Sequence, residues 1–236
     1  MRLKKYLNNS RNSLIREKLA NYRLFYEIKL ASAKSEIDVK ISLPEVDNEG
    51  YDLVLGDGDA IVPIQVKTTL SDSTTSRWQV QKYLLRPDRY YAEILGFESS
   101  PFGLGLQGGL LLLEIVLERN DIKEFVYYYC DVFVLKAFEC GLIQHHNRTY
   151  KDSISNVFNS LKKGDRFTKV SLTKSCLVRM SNVEKILAFV DFANKSSNLW
   201  RTSFIEFIKN NNPENDRPRM AHLTRQLISD KRLIIE

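Results

Sequence analysis

Two short apolar segments joined by glycine and aspartate constrain the fold of this chain more than any other stretch. The segments span residues 51–55 and 61–67, and glycine and aspartate alternate at residues 56–59 between them. This pattern predicts a β-hairpin. A tight two-residue turn at positions 58 and 59 sets Asp52 opposite Gln65 when the pairs are counted back along the ladder. The sequence therefore predicts both a hairpin and its register.

That register gathers three polar side chains on one face of the hairpin. Directly opposed residues project to the same face, so Asp52 and Gln65 share it, and Lys67 follows two residues along. One interpretation is an Asp–Lys ion pair on an edge strand, where a lysine also deters aggregation. The other is a phosphodiesterase site, in which Asp52, the Gln65 side chain and the Val66 carbonyl hold a divalent cation. Lys67 would then orient the attacking water and stabilise charge on the phosphate.

Asp52 followed after a turn by Gln65-Val66-Lys67 resembles the core of the PD-(D/E)xK nuclease superfamily. This superfamily includes restriction endonucleases, Holliday junction resolvases and DNA repair nucleases. The resemblance implies a restriction-endonuclease-like α/β fold, a mixed sheet flanked by helices, and cleavage of DNA with Mg²⁺ or Mn²⁺. The usual second acid is here the neutral Gln65. A Q-x-K version resembles the catalytic domains of modification-dependent restriction enzymes, although the missing charge should weaken cation binding.

The stretch before the hairpin predicts a long helix over residues 12–34, because its apolar residues recur at helical spacing. Residues 37–43 alternate and predict the strand that enters the hairpin. In the superfamily, a helix before the hairpin often supplies a further glutamate. The resemblance implies that Glu17 plays this part, with Glu27 as the alternative. A surface glutamate without a catalytic role is the other interpretation of Glu17.

Further alternating and apolar runs predict the rest of a mixed sheet. Residues 110–117 and 124–130 predict two strands. Asp131 is suited to cap a helix that runs through Cys140, and Gly141 lies where the C-terminal cap of that helix belongs. The polar stretch 68–76 predicts a loop, either at the mouth of a substrate site or as a plain connection. Together with the first helix and the hairpin, these elements predict a sheet with helices packed against it.

The charge of the chain is distributed unevenly. The 236 residues carry a net charge of +6. Residues 151–236 hold 16 Lys and Arg against 9 Asp and Glu, a net charge of +7, whereas residues 1–150 hold 19 against 20, a net charge of −1. This distribution favours a nuclease core in residues 1–150 and a basic, mainly helical segment in residues 151–236 that binds DNA. A solvated basic surface is the alternative.

Two helices and a short apolar strand near the C-terminus resemble a winged-helix DNA-binding unit. The resemblance implies phosphate contacts from the basic residues of these elements. They are Arg217, Arg219, Arg225, Lys231 and Arg232.

Composition and motifs favour a cytoplasmic location. No apolar run approaches a membrane span, and the first residues lack the pattern of a signal peptide. The three cysteines lack metal-site spacing and are expected to be reduced and buried. No membrane partner is expected. A homodimer is compatible with cleavage of both DNA strands, but no stretch of the sequence marks an interface.

The favoured function is therefore Mg²⁺-dependent hydrolysis of DNA phosphodiesters in a prokaryotic restriction or defence system. The main alternative is a catalytically inactive DNA-binding or partner-binding protein on the same fold. It explains the neutral Gln65 without requiring metal affinity. A third class is an RNA-acting toxin or processing nuclease.

Overall fold

A computed structural model describes residues 2–45, 50–58, 60–100, 103–145, 148–192, 199–210, 213–228 and 233–234. The helices are α1 (Arg2–Asn8), α2 (Ser13–Ser35), α3 (Lys82–Leu85), α4 (Val132–Glu139), α5 (Arg148–Lys162), α6 (Val183–Phe189), α7 (Trp200–Lys209) and α8 (Pro213–Leu227). The strands are β1 (Lys40–Ser42), β2 (Leu53–Gly56), β3 (Ile61–Leu70), β4 (Arg77–Gln81), β5 (Gly109–Glu118), β6 (Asp121–Asp131), β7 (Gln144–His145), β8 (Lys169–Thr173), β9 (Val178–Met180) and β10 (Leu233–Ile234).

The main sheet is mixed and has helices packed against it, which confirms the mixed α/β class that the sequence predicts. Within the described residues it has six strands in the order β1-β2-β3-β5-β6-β9. The pair β3–β5 is parallel, and the other neighbours are antiparallel. Two smaller sheets, β4–β8 and β7–β10, complete the architecture. No helix in the described part of the chain is long and apolar enough to cross a membrane.

The predicted hairpin and its register are confirmed. Leu53 pairs with Ile64 and Gly56 pairs with Ile61, as counting back from the turn predicts. Asp52 precedes this ladder and its N–H donates to the Ile64 carbonyl, so the predicted pairing of Asp52 with Gln65 is not among the pairs of the hairpin. Gly58 adopts a φ of +100°, which the tight turn requires and which glycine adopts at little cost. Asp59, the second turn residue, lies outside the described residues.

Helix α2 covers one face of the main sheet, which we call the helix-side face. Its buried residues Ala20, Leu24 and Ile28 recur at helical spacing, and the helix packs against β3. The Tyr127 hydroxyl on β6 donates to Glu27 of α2 at 2.6 Å, which places Tyr127 on this face. α6 and α7 cover the same face. The predicted helix over 12–34 is thus confirmed to within one residue at each end.

The opposite face, which we call the site-side face, carries Gln65 and Lys67. Neighbouring strand residues share a face, and residues two apart along a strand return to it. Because Thr68 pairs with Leu113 and Leu113 pairs with Tyr127, Thr68 belongs to the helix-side face and its neighbour Lys67 to the other. The segment after β8 covers this second face, where Lys174 forms an ion pair with Glu114 of β5.

Strand β3 extends further than the sequence suggests. The polar residues 68–76 predict a loop, but the strand continues through Leu70 and only residues 71–76 leave it. The cause is parallel pairing with β5, in which Thr68 lies beside Leu113 and Leu70 beside Ile115. Threonine suits a strand once such a partner is present, and the partner lies about forty residues away in the chain.

The C-terminal third of the chain is packed into the same structure as the first 150 residues. β9 pairs with β6 in the main sheet, and β10 pairs with β7. Arg201 of α7 reaches the buried Asp131 at 2.5 Å. These pairings cross residue 150, the point at which the net charge of the chain changes.

The thiols provide a test of this packing. The cysteines are free, Cys130 and Cys176 are buried, and Cys140 is half-buried. Burial raises the pKa of all three thiols. Since the thiolate is the reactive form, we expect slow labelling of the native protein by a thiol reagent near neutral pH, with Cys140 the fastest. The unfolded chain should expose three reactive thiols, and rapid labelling of Cys130 in the native protein would contradict the packing.

Candidate active site

Asp52 lies at the end of the hairpin ladder, directly before β2. Its backbone N–H donates to the Ile64 carbonyl at 2.9 Å. Its carboxylate Oδ2 accepts from the Val66 N–H at 2.6 Å. The carboxylate is thus held against β3, one residue from Gln65 and one from Lys67, and the Asp52 side chain is partly accessible to solvent.

Gln65 carries the most unusual feature of this region. The residue is 9 % exposed, and its Oε1 atom has no hydrogen-bond partner among the described residues. A buried acceptor without a partner costs about 1–3 kcal/mol, so native proteins rarely keep one without a reason. A donor or a cation at this oxygen would remove the cost.

Lys67 lies on the same face, two residues after Gln65. Its side chain is half-buried, and no carboxylate of the described residues forms an ion pair with it. The Asp–Lys ion pair that the sequence left open is therefore not formed here: the Asp52 carboxylate contacts the Val66 N–H instead. The ammonium remains available for an anionic ligand.

The oxygen atoms around Gln65 fit a hard divalent cation. The N–H and C=O of one strand residue point to the same side. The Val66 carbonyl therefore lies on the side of Asp52, whose carboxylate the Val66 N–H contacts. A carboxylate, a carbonyl and an unpartnered amide oxygen are the ligand types that Mg²⁺ and Mn²⁺ accept. The set holds one carboxylate, and the described residues contain no group of three or more His, Cys, Asp or Glu suited to a metal.

A buried polar cluster lies further along the site-side face. Glu114 pairs with Thr69 across the β3–β5 ladder and is 7 % exposed. Its carboxylate accepts from Lys174 at 2.7 Å and from the Tyr128 hydroxyl at 2.9 Å. Both oxygens are engaged, so Glu114 links β5, β6 and the segment after β8. The sequence signal for this cluster is a glutamate inside the apolar run 110–117.

The structure does not bring Glu17 to the same face as Gln65 and Lys67. Glu17 is exposed on α2, which packs on the helix-side face. Glu27, the alternative, lies on that face as well and is occupied by Tyr127 and Arg23. Helical spacing identifies the helix but does not reveal which face of the sheet it covers.

Of the five C-terminal basic residues, three lie within the described part of the chain, and all three are on α8. Arg217 donates to the carbonyls of Cys140 and Gly141, both at 3.1 Å, and so caps the end of α4. Arg219 and Arg225 are exposed on α8. Lys231 and Arg232 lie outside the described residues.

Comparisons with known proteins give no further assignment. No protein-family model matches the chain, and a search of curated proteins finds no significant match.

Proposed function

We propose that this protein is a metal-dependent endonuclease that hydrolyses DNA phosphodiester bonds on a restriction-endonuclease-like fold. The observation that carries the proposal is the buried Oε1 of Gln65, which has no partner among the described residues, on a strand that also holds the carboxylate of Asp52 and carries Lys67, whose ammonium pairs with no carboxylate in that part of the chain. A role in prokaryotic restriction or defence, in the cytoplasm, belongs to the same proposal.

Each site residue has a distinct part in the proposed chemistry. Asp52, Gln65 and the Val66 carbonyl would hold Mg²⁺ or Mn²⁺. The bound cation supplies Lewis-acid polarisation of a phosphoryl oxygen. The Lys67 ammonium orients the attacking water and stabilises the negative charge that develops on the phosphate. Half-burial strengthens this last contribution, because a charge is screened less away from bulk water.

The test is plasmid cleavage with Mg²⁺, Mn²⁺ or a chelator, on modified and unmodified DNA. Wild type should nick or cut at least one substrate only when the metal is present. Lys67→Ala should lower the rate by about a hundredfold or more, because it removes an electrostatic contact to the transition state. Single-stranded DNA and RNA should be cut more slowly than duplex DNA.

Lys123→Ala is the matched control, because Lys123 is an exposed lysine whose ion pair with Glu118 lies at the surface. It should leave the rate unchanged, and thermal unfolding should show that both variants fold. Absence of cleavage by folded wild type, with DNA binding unaffected by Lys67→Ala, would overturn the proposal. That result would favour a catalytically inactive binding protein, which the single carboxylate of the site also suits.

A further inference from the structure

Helix α2 exposes a stripe of large apolar side chains directly opposite its buried side. The helix buries Ala20, Leu24 and Ile28 against the sheet. On its outer side five large apolar residues are exposed, with Tyr22 at 67 % and Tyr26 at 60 %. We call these residues the outer seam: Ile15, Leu19, Tyr22, Tyr26 and Leu30. A helix that is apolar on both sides is ordinarily covered on both sides.

The spacing of the outer seam is that of a helix-pairing surface. Successive members from Ile15 to Tyr26 are four, three and four residues apart, which matches the a and d positions of a coiled coil. The helix has 23 residues and is therefore about 35 Å long. A groove of about 210 Å³ between α2 and α6 continues the seam, and Tyr26, Leu30 and Val183 line it.

The charges beside the seam indicate which kind of partner can bind to it. With Ile15 and Tyr22 at d and Leu19 at a, the flanking e and g positions are Arg16, Lys18, Arg23 and Phe25. Arg16 is half-buried and donates to the Leu7 carbonyl at 2.8 Å, so the exposed charges beside the seam are Lys18 and Arg23, of which Arg23 also pairs with Glu27. Residues 2–35 as a whole hold nine Lys and Arg against two Glu, a net charge of +7. Charges at e and g choose the partner of a coiled coil. A second copy of α2 would set basic residues opposite basic residues in either orientation, so the seam favours an acidic partner.

The position of the seam separates it from the candidate active site. α2 packs on the helix-side face of the sheet, whereas Gln65 and Lys67 lie on the site-side face. A nucleic acid held at Lys67 would therefore not reach the seam. The aliphatic members Ile15, Leu19 and Leu30 also offer no ring on which a base could stack.

We propose that the outer face of α2 binds an acidic amphipathic helix of a partner protein, with an apolar seam flanked by aspartate and glutamate. The partner lies over the outer seam, and its acidic flanks face the exposed Lys18 and Arg23. Because the two faces of the sheet are separate, the partner binds without covering the candidate active site. The inference is independent of the nuclease proposal.

The test uses the full chain and three labelled peptides of equal length, with binding followed by fluorescence anisotropy. One peptide has leucine at a and d and glutamate at e and g. The second keeps the leucines but has lysine at e and g, and the third scrambles the first. The acidic seam peptide should bind at least about tenfold more tightly than the other two.

Tyr22→Glu should weaken binding of the acidic seam peptide by about tenfold or more, since it removes an exposed aromatic anchor and adds a like charge. Tyr90→Glu is the matched control, because Tyr90 is 70 % exposed and lies outside α2. It should leave the affinity for the acidic seam peptide unchanged. Lys18→Glu should weaken binding of the acidic peptide and strengthen binding of the lysine-flanked one.

Three results would overturn the proposal. Equal binding of the scrambled peptide would mean that charge attraction alone, without the outer seam, explains the binding. A dimer of wild type in light scattering that Tyr22→Glu dissociates would mean that a second copy covers the seam. If no peptide binds but vesicles containing phosphatidylserine do, a lipid surface covers the seam.

Discussion

Asp131→Ala is expected to lower the free energy of unfolding by about 3–5 kcal/mol. Asp131 is fully buried and has three partners. Its Oδ2 accepts from Arg201 at 2.5 Å and from the Tyr129 hydroxyl at 3.0 Å, and its Oδ1 caps α4 through the Val134 N–H at 2.8 Å. The substitution leaves the Arg201 charge buried without a counter-ion, which costs more than the lost contacts themselves. Urea unfolding measures the difference.

Asn182→Ala is the matched control for this experiment. Asn182 caps α6 through the Lys185 N–H at 2.9 Å and has no ion pair, so its loss should cost about 1 kcal/mol. Adding Arg201→Met to Asp131→Ala should recover part of the stability, because it removes the unpaired charge. If Asp131→Ala cost no more than Asn182→Ala, the buried ion pair would contribute nothing beyond the cap.

Gln65→Glu is expected to tighten Mn²⁺ and Mg²⁺ binding by about tenfold or more, since affinity for hard cations rises with the number of charged ligands. The substitution places a second carboxylate at a buried position, one residue from the Val66 N–H that the Asp52 carboxylate contacts. Without metal the two negative charges repel, so the melting temperature should fall. With metal it should recover, because a ligand that binds only the folded state stabilises it. Thermal unfolding with Mn²⁺ and with a chelator measures both effects.

Gln79→Glu makes the same chemical change at an exposed position of β4. It should alter neither the metal response nor the melting temperature. Equal destabilisation of Gln65→Glu with and without metal would mean that Gln65 belongs to the packing of the sheet alone.

The local features of the fold could be predicted because their causes are local. The turn at Gly58 fixes the register that pairs Leu53 with Ile64. Helical spacing of apolar residues identifies α2. Asp131 caps α4 as its place before an apolar helix predicts. In each case a few neighbouring residues determine the conformation, so the local sequence is sufficient to predict it.

The features that sequence analysis missed depend on partners far along the chain. The face of the sheet that α2 covers is set by contacts such as Glu27 with Tyr127, 100 residues away, and Glu17 lies on this helix, across the sheet from Gln65 and Lys67. Arg217 caps a helix 76 residues earlier, although its charge suggested a phosphate contact. The lack of a partner for the Gln65 Oε1 among the described residues likewise depends on all the groups packed around it. No window of sequence displays such relations.

The long separation of Asp131 and Arg201 also affects the order in which the chain can fold. The two residues are 70 positions apart, and β9, which borders β6, lies between them. During synthesis β6 leaves the ribosome well before α7. The Asp131 carboxylate therefore has no counter-ion until Arg201 has emerged. The sheet also lacks its β9 edge at that stage. A ribosome that stalls before Arg201 would therefore hold a chain whose Asp131 lacks its counter-ion, and a stall before β9 would also leave the edge of β6 open to pairing with another chain.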